Sequence, residues 1–180
     1  MTEAQARPLP YPVGSQSPQE GLKDLLAKAV PGGLLTFGAT ATDLDVTVPP
    51  ADLLTLVTTL RDRPELAFDL LRNIAGVDYE TDMALKYHLY SLKHGHALQV
   101  TVPTTSGHPH VPSLTSLYPA ANWHEREASE MFGFVFDGHP NPKNLLLEED
   151  LHIHPLLKAH PLAKVEILQG IEEGPPGFKF

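Results

Sequence analysis

The segment NWHEREASEMFG, Asn122 to Gly133, sets Glu125, Glu127 and Glu130 around Arg126 and beside His124. Such a density of titratable groups suggests acid–base chemistry first. Glycosidase-like catalysis needs two carboxyl groups converging on one bond. On a helix successive residues turn by about 100°, so Glu125 and Glu127 diverge by about 200° and cannot share a substrate atom. Glu127 and Glu130 are nearer, three residues apart, but Arg126 lies beside them. A zinc site is the second possibility. HEREA begins like a metalloprotease motif, yet the position four residues after His124, where the second ligand must stand, is Ala128.

Histidines recur in alternate pairs, His94/His96, His108/His110 and His152/His154. Alternate residues of a strand share a face and can hold a metal. These pairs sit beside Gly or Pro in expected loops, where surface histidine is the ordinary reading. His139, His152 and His154 form the best metal-ligating set, and with it a small metal-dependent hydrolase is the alternative function. There is no cysteine, which excludes a disulfide, a cysteine-held iron–sulfur cluster and a thiol nucleophile for this chain. No G-x-S-x-G, phosphate-binding loop or G-x-G-x-x-G occurs.

What remains in the segment is the helix itself. Asn122 suits an N-cap, and Glu125 three residues on completes a capping box. Gly133 suits the left-handed residue after the last turn. Arg126 and Glu130, at i and i+4, predict a helical ion pair of roughly 0.2–0.5 kcal/mol. Two features are unusual. Charges surround most of the helix, and Glu130 lies near the C-terminal end, where the macrodipole disfavours it. Such charges call for fixed partners, in a loop folding over the helix or on a neighbouring protein.

The elements that must position this helix follow from periodicity. Leu22, Leu25, Leu26 and Ala29 predict a first helix, stopped by Pro31-Gly32-Gly33. GLLTFGA and DLDVTVP predict two short strands with a turn around Thr40 to Asp43. Leu53, Leu56, Val57 and Leu60 form the stripe of a second helix, with Asp52 in its first turn. Residues 66–79 read as a turn of helix running into a strand from Ile74 to Tyr79. A hairpin follows, turning at Gly95, with Tyr87 and Leu89 on one arm and Leu98, Val100 and Val102 on the other. The order predicts an α+β fold: a two-layer domain with a mixed β-sheet and helices mainly on one face, plus an extended C-terminal arm. The domain organisation expected is a Pro-rich N-terminus without fixed structure (1–19), the α+β domain (20–133) and a Pro/His-rich arm (134–180).

The segment EREASEMFGFVFDGHPNPKNLL resembles the signature of the C-subunit family of proton-pumping NADH:quinone oxidoreductase, respiratory complex I. The matching residues are Glu125, Arg126, Glu127, Glu130, Met131, Phe132, Phe136, Gly138, His139, Pro140, Lys143, Leu145 and Leu146. Glu149-Asp150, His154-Pro155-Leu156 and Pro161-Leu162 continue it, and NIAGVDY resembles the family's strand ending at Asp78-Tyr79. The family pattern has Asp after Gly-His-Pro, then an arginine pair; here Asn141, Lys143 and Asn144 stand instead. Its His-Pro-Leu-Arg-Lys-Asp is His154-Pro155-Leu156-Leu157-Lys158-Ala159 in this chain.

The resemblance implies a scaffold role in the hydrophilic arm, supporting the module that passes electrons from NADH to quinone coupled to proton translocation. It implies no catalytic residue, flavin or iron–sulfur cluster in this chain, those cofactors belonging to partner subunits. It implies docking on the larger D-type protein that forms the quinone site, on the cytoplasmic side of the bacterial inner membrane and peripheral to it. The signature residues Glu125, Arg126, Glu127, Glu130, Phe132, Gly138, His139, Pro140, Lys143, His154, Pro155 and Leu156 are the expected interface with the other subunits. Related subunits occur in membrane-bound hydrogenases and complexes with other electron donors, so the donor stays open. A formal charge of −9 argues against nucleic acid or anionic lipid as a partner bound through bulk charge. The N-terminus has no apolar core resembling a signal peptide.

Overall fold

The computed structural model describes residues 18–30, 35–39, 43–107, 109–148, 151 and 153–159. In chain order the elements are α1 (Pro18–Ala29), β1 (Thr36–Ala39), β2 (Leu44–Thr47), a 3-10 turn (Pro50–Asp52), α2 (Leu53–Asp62), β3 (Leu70–Asp78), β4 (Asp82–Tyr90), β5 (Ala97–Thr105), β6 (His110–Pro112), α3 (Ala121–Phe132) and β7 (Val135–Asp137). The expectations for residues 1–17 and 160–180, for the helix stop at residues 31–33 and for the turn at residues 40–42 lie outside the described residues.

Strands β1 to β5 form one sheet in the order β1-β2-β5-β4-β3. All neighbours are antiparallel except β2 and β5, so the sheet is mixed, as expected. Alternation decides its faces. Val46, Leu85, Tyr87, Leu89, Leu98, Val100 and Val102 point to one side and are buried. The helical stripes Leu22–Leu26 and Leu53–Leu60 join the same apolar cluster, as does Ala128 of α3. The other face carries polar side chains: Asp45 accepts hydrogen bonds from Gln99 (3.0 Å) and Thr101 (2.7 Å). This is the expected two-layer α+β domain.

Strand β3 begins at Leu70, four residues before the sequence suggests, and no helical turn occupies 70–73. The reason is a bulge. Leu71 pairs with Leu89 and Asn73 with His88, leaving Arg72 as the extra residue. An extra residue shifts the alternation by one, so Leu71 and Ile74 both face the core although three residues apart. That spacing imitates a helix.

Gly95 turns the β4–β5 hairpin at φ 69°, the left-handed region glycine enters without strain. The pair β6–β7, parallel with Val111 opposite Phe136, has no counterpart in the sequence reading; two three-residue strands carry too little periodicity. Phe134 and Phe136 are buried in the main cluster. The body therefore extends through Asp137, and the segment without regular structure starts at Gly138 rather than at residue 134.

Candidate functional site: helix α3 and the segment it holds

Helix α3 lies across the sheet edge where β3 has Gly76. A Cβ on Gly76 would stand 2.5 Å from the Phe132 ring, so only glycine lets the helix come this close. The helix starts at Ala121 with Ala120 at the N-cap and no side-chain cap. Its first amides bond to the preceding turn: Ala121 N–H to Tyr118 O (3.0 Å), Asn122 N–H to Pro119 O (3.2 Å) and Trp123 N–H to Ala120 O (3.3 Å). The expected Asn122 cap and its capping box with Glu125 are therefore replaced by backbone bonds, which leaves Glu125 free to point inward. At the other end Gly133 is left-handed (φ 81°) and its N–H bonds to Ser129 O (2.8 Å), as expected.

Glu125 is fully buried. Its Oε2 accepts the Ser113 hydroxyl at 2.7 Å and its Oε1 accepts the Leu114 N–H at 2.6 Å. Burial pushes its pKa up to about 7, against the opposing pull of those two donors.

Arg126 and Glu130 do not bond to each other. Arg126 donates from Nε to Lys143 O (2.6 Å) and from Nη2 to Asn144 O (2.5 Å). Glu130, buried, accepts the next three backbone N–H groups: Leu145 at 2.9 Å, Leu146 at 3.1 Å and Leu147 at 3.2 Å. The one-turn spacing thus matches a reversal of polarity along the segment it holds, carbonyls at 143–144 and amides at 145–147. Consecutive N–H groups aimed at one carboxylate make an anion-binding concavity, and this offsets the unfavourable macrodipole position of Glu130. The expected exposed helical ion pair gives way because charge-assisted bonds to backbone groups are stronger, roughly 1.5–3 kcal/mol against a few tenths.

Gly138 (φ 83°) turns the chain back toward α3. His139 follows, its Nε2 facing Asn122 O at 3.1 Å and its Nδ1 facing Asn141 N at 3.0 Å. An amide can only donate, so Nδ1 is the acceptor and Nε2 carries the proton given to Asn122 O. Pro140 is exposed. Further on, His154 Nδ1 donates to Glu130 O (2.9 Å) and the Leu156 N–H to Met131 O (3.1 Å). A Cβ on Gly133 would come within 2.9 Å of the His154 ring, so this glycine serves the His154 contact as well as the helix end. Pro155 is half-buried. The Lys158 N–H reaches Asp78 Oδ2 (2.9 Å), and Lys158 Nζ pairs with Glu80 at 3.3 Å. The backbone N–H groups of Lys158 and Glu80 hold the Asp78 carboxyl below its usual range.

The structure therefore gathers Glu125, Arg126, Glu130, Phe132, Gly138, His139, Lys143 and His154 of the signature around one helix. Glu127, Pro140 and Leu156 face outward. Asp78 is the residue whose role sequence reasoning misses; nothing local signals a partner 80 positions away. No two carboxylates of α3 meet: Glu125 turns to the Ser113 loop, Glu130 to residues 145–147, and Glu127 is exposed. His139 has both ring nitrogens committed to backbone groups, which removes it from the expected metal set; His152 lies outside the described residues. Among the described residues no three His, Cys, Asp or Glu side chains are grouped to hold a metal. A cleft of about 510 Å³ beside Gly133 is lined by Asp78, Glu80, His154 and Lys158, the same groups that fasten the segment.

Residues 46–166 match the family described as "Respiratory-chain NADH dehydrogenase, 30 Kd subunit". The C subunit of NADH-quinone oxidoreductase from Roseiflexus castenholzii (strain DSM 13941 / HLO8) is 42% identical over 145 residues, 79% of this chain and 83% of its own length. The protein of the same name from Methylobacterium sp. (strain 4-46) is 36% identical over 159 residues, covering 86% and 74%. Among solved structures, a chain of the membrane-bound sulfane sulfur reductase, an archaeal respiratory membrane complex, shares the fold: TM-score 0.71 at 21% identity, over 91% of this chain and 100% of that one. The trypsin-resistant fragment (1-134) of Nqo5 aligns with TM-score 0.55 and 28% identity over 67% of this chain and 98% of its own. With two thirds of its length matched by the family and its signature helix intact, this chain belongs to the 30 kDa subunit family of respiratory-chain NADH dehydrogenase, complex I.

Proposed function

We propose that this chain is a non-catalytic scaffold in the hydrophilic arm of a respiratory NADH:quinone oxidoreductase, docking chiefly on the D-type protein that forms the quinone site. In this reading flavin and iron–sulfur clusters belong to partner subunits, and NADH oxidation and quinone reduction occur there. The chain then sits on the cytoplasmic side of the bacterial inner membrane, held through the complex. Among the described residues no helix is long and apolar enough to cross a membrane, which suits attachment through partners.

One observation carries the proposal. The segment fastened to α3 turns apolar side chains outward: Leu146 is 65% exposed, Leu156 56% and Ile153 52%. Its polar backbone groups are meanwhile engaged with Arg126, Glu130 and the end of α3. Large apolar side chains left exposed on a segment otherwise fastened suit a protein interface. A segment already fastened loses less conformational entropy on docking. The signature charges thus serve an interface indirectly, by holding the segment that touches the partner.

The test is co-purification. A tagged chain carrying Leu146→Asp and Ile153→Asp, extracted in mild detergent, should recover partner subunits at least about tenfold less well than wild type, since burying two unpaired charges costs well over 1.4 kcal/mol. Its circular dichroism should be unchanged. Full recovery of the D-type protein with the double variant would contradict the assignment of this face.

A further inference from the structure

Glu125 is not used by the scaffold role just described, and its surroundings are unlike those of Glu130. Three oxygens stand in a row: Glu125 Oε2, Ser113 Oγ at 2.7 Å and Thr115 Oγ1 a further 2.8 Å on. Either hydroxyl of the second pair can be the donor. We propose that the row Glu125–Ser113–Thr115 is a buried proton-binding site, able to hold its carboxyl ionised or protonated without moving a heavy atom.

The proton count closes in both states. With Glu125 ionised, the Ser113 O–H donates to Oε2. With Glu125 protonated, Oε2–H donates to Ser113 Oγ, and the Ser113 hydrogen turns to Thr115 Oγ1. The Leu114 N–H to Oε1 and the Thr115 N–H to Ser113 Oγ (3.2 Å) persist in both. The proton comes from solvent water and returns to it, and half-buried Thr115 is the outer end of the row.

Among the described residues no lysine or arginine side chain bonds the carboxyl. From β4, Tyr87 is buried with no partner for its hydroxyl among the described residues, and burial together with Glu125 holds that phenol well above its usual range. From the chain after β7, His139 Nε2 lies 4.0 Å from Oε2. Its Nδ1 accepts the Asn141 N–H. On α3 itself, Arg126 directs its Nε and Nη2 to Lys143 and Asn144 carbonyls. A cavity of about 20 Å³, enough for one water, is lined by Glu125, Arg126, Ser129 and His139. A carboxyl so placed takes up a proton more readily than one in water, in accord with its raised pKa.

The experiment is a carbon-13 NMR titration of the full chain labelled at the glutamate carboxyls, with Glu125 assigned through the backbone. Its carboxyl signal should titrate with a midpoint near 7, while exposed glutamates titrate near about 4.3. Ser113→Ala should move the midpoint upward, because the ionised form loses its stronger hydrogen bond. His139→Gln should leave a titration at Glu125. A wild-type midpoint below about 5, or a neutral-range shift that vanishes in His139→Gln, overturns the proposal; the wild-type titration decides even if a variant fails to fold.

Discussion

The sheet body and the segment that follows Asp137 are both ordered, by opposite means. The body seals Leu85, Val100 and Val102 completely from solvent and joins them to helices α1, α2 and α3. After Phe136 no described residue is buried. That segment is fixed mainly by polar bonds: Arg126, Glu130 and Asp78 reach its carbonyls and amides and its His139 and His154 side chains reach α3 carbonyls, with Leu157 alone of its described apolar side chains packed against the core. Apolar burial is non-directional and builds a body tolerant of exchange among similar side chains. Charged side chains on backbone groups are directional. They hold a loop in one path while leaving Leu146, Ile153 and Leu156 exposed.

This contrast can be broken from either side. The largest effect is expected in the body. Leu85→Ala removes a fully buried side chain and should cost about 2–5 kcal/mol in urea unfolding, loosening body and segment together. If the segment alone loosened, the body would not be its support.

Next in size is pH. Glu125 has a folded pKa of about 7, raised above its ordinary 4.5 by burial. Between those values the folded chain binds more protons than the unfolded one, so stability must fall as pH rises through that window. Its contribution is complete below the ordinary value and lost above about 7, on the order of 3 kcal/mol across the window. Glu125→Gln should flatten that slope in urea unfolding at a series of pH values; an unchanged slope would assign it to other groups. Asp78 works the other way: its depressed pKa makes the Lys158 contact present above its ordinary 3.8 and lost as pH falls through the folded value.

The smallest global effect belongs to Glu130→Ala. It should loosen the amides of 145–147 by about 1–3 kcal/mol while the urea midpoint of the body stays near wild type. A loss of body stability as large as that of Leu85→Ala would erase the distinction between the two regions.

The same contrast explains what can be read from the sequence. The stripes of α1 and α2 and the alternation of β4 and β5 are legible, because burial imposes a period on side chains. The start of strand β3 is not, because the bulge at Arg72 turns period two into a spacing of three. The site is legible as a charge-dense helix needing fixed partners, but the partners are not. Lys143 O, Asn144 O and the N–H groups of 145–147 are backbone atoms, which no residue letter specifies. This also shows why the departures from the family pattern are compatible with the site. The contacts of Asn141, Lys143 and Asn144 with His139 and Arg126 run through main-chain atoms, one amide and two carbonyls, while the Asn144 side chain also donates to Glu148 O (2.7 Å).

The central claim is that α3 fastens the segment within the chain itself, before any partner binds. Amide hydrogen exchange on the isolated wild-type chain tests it most directly. The expected result is protection at Leu145, Leu146 and Leu147, lost by about 10- to 100-fold in Glu130→Ala with the amides of β4 and β5 unaffected. Exchange of those three amides at unprotected rates in the isolated wild type, with protection appearing only in the assembled complex, would contradict it.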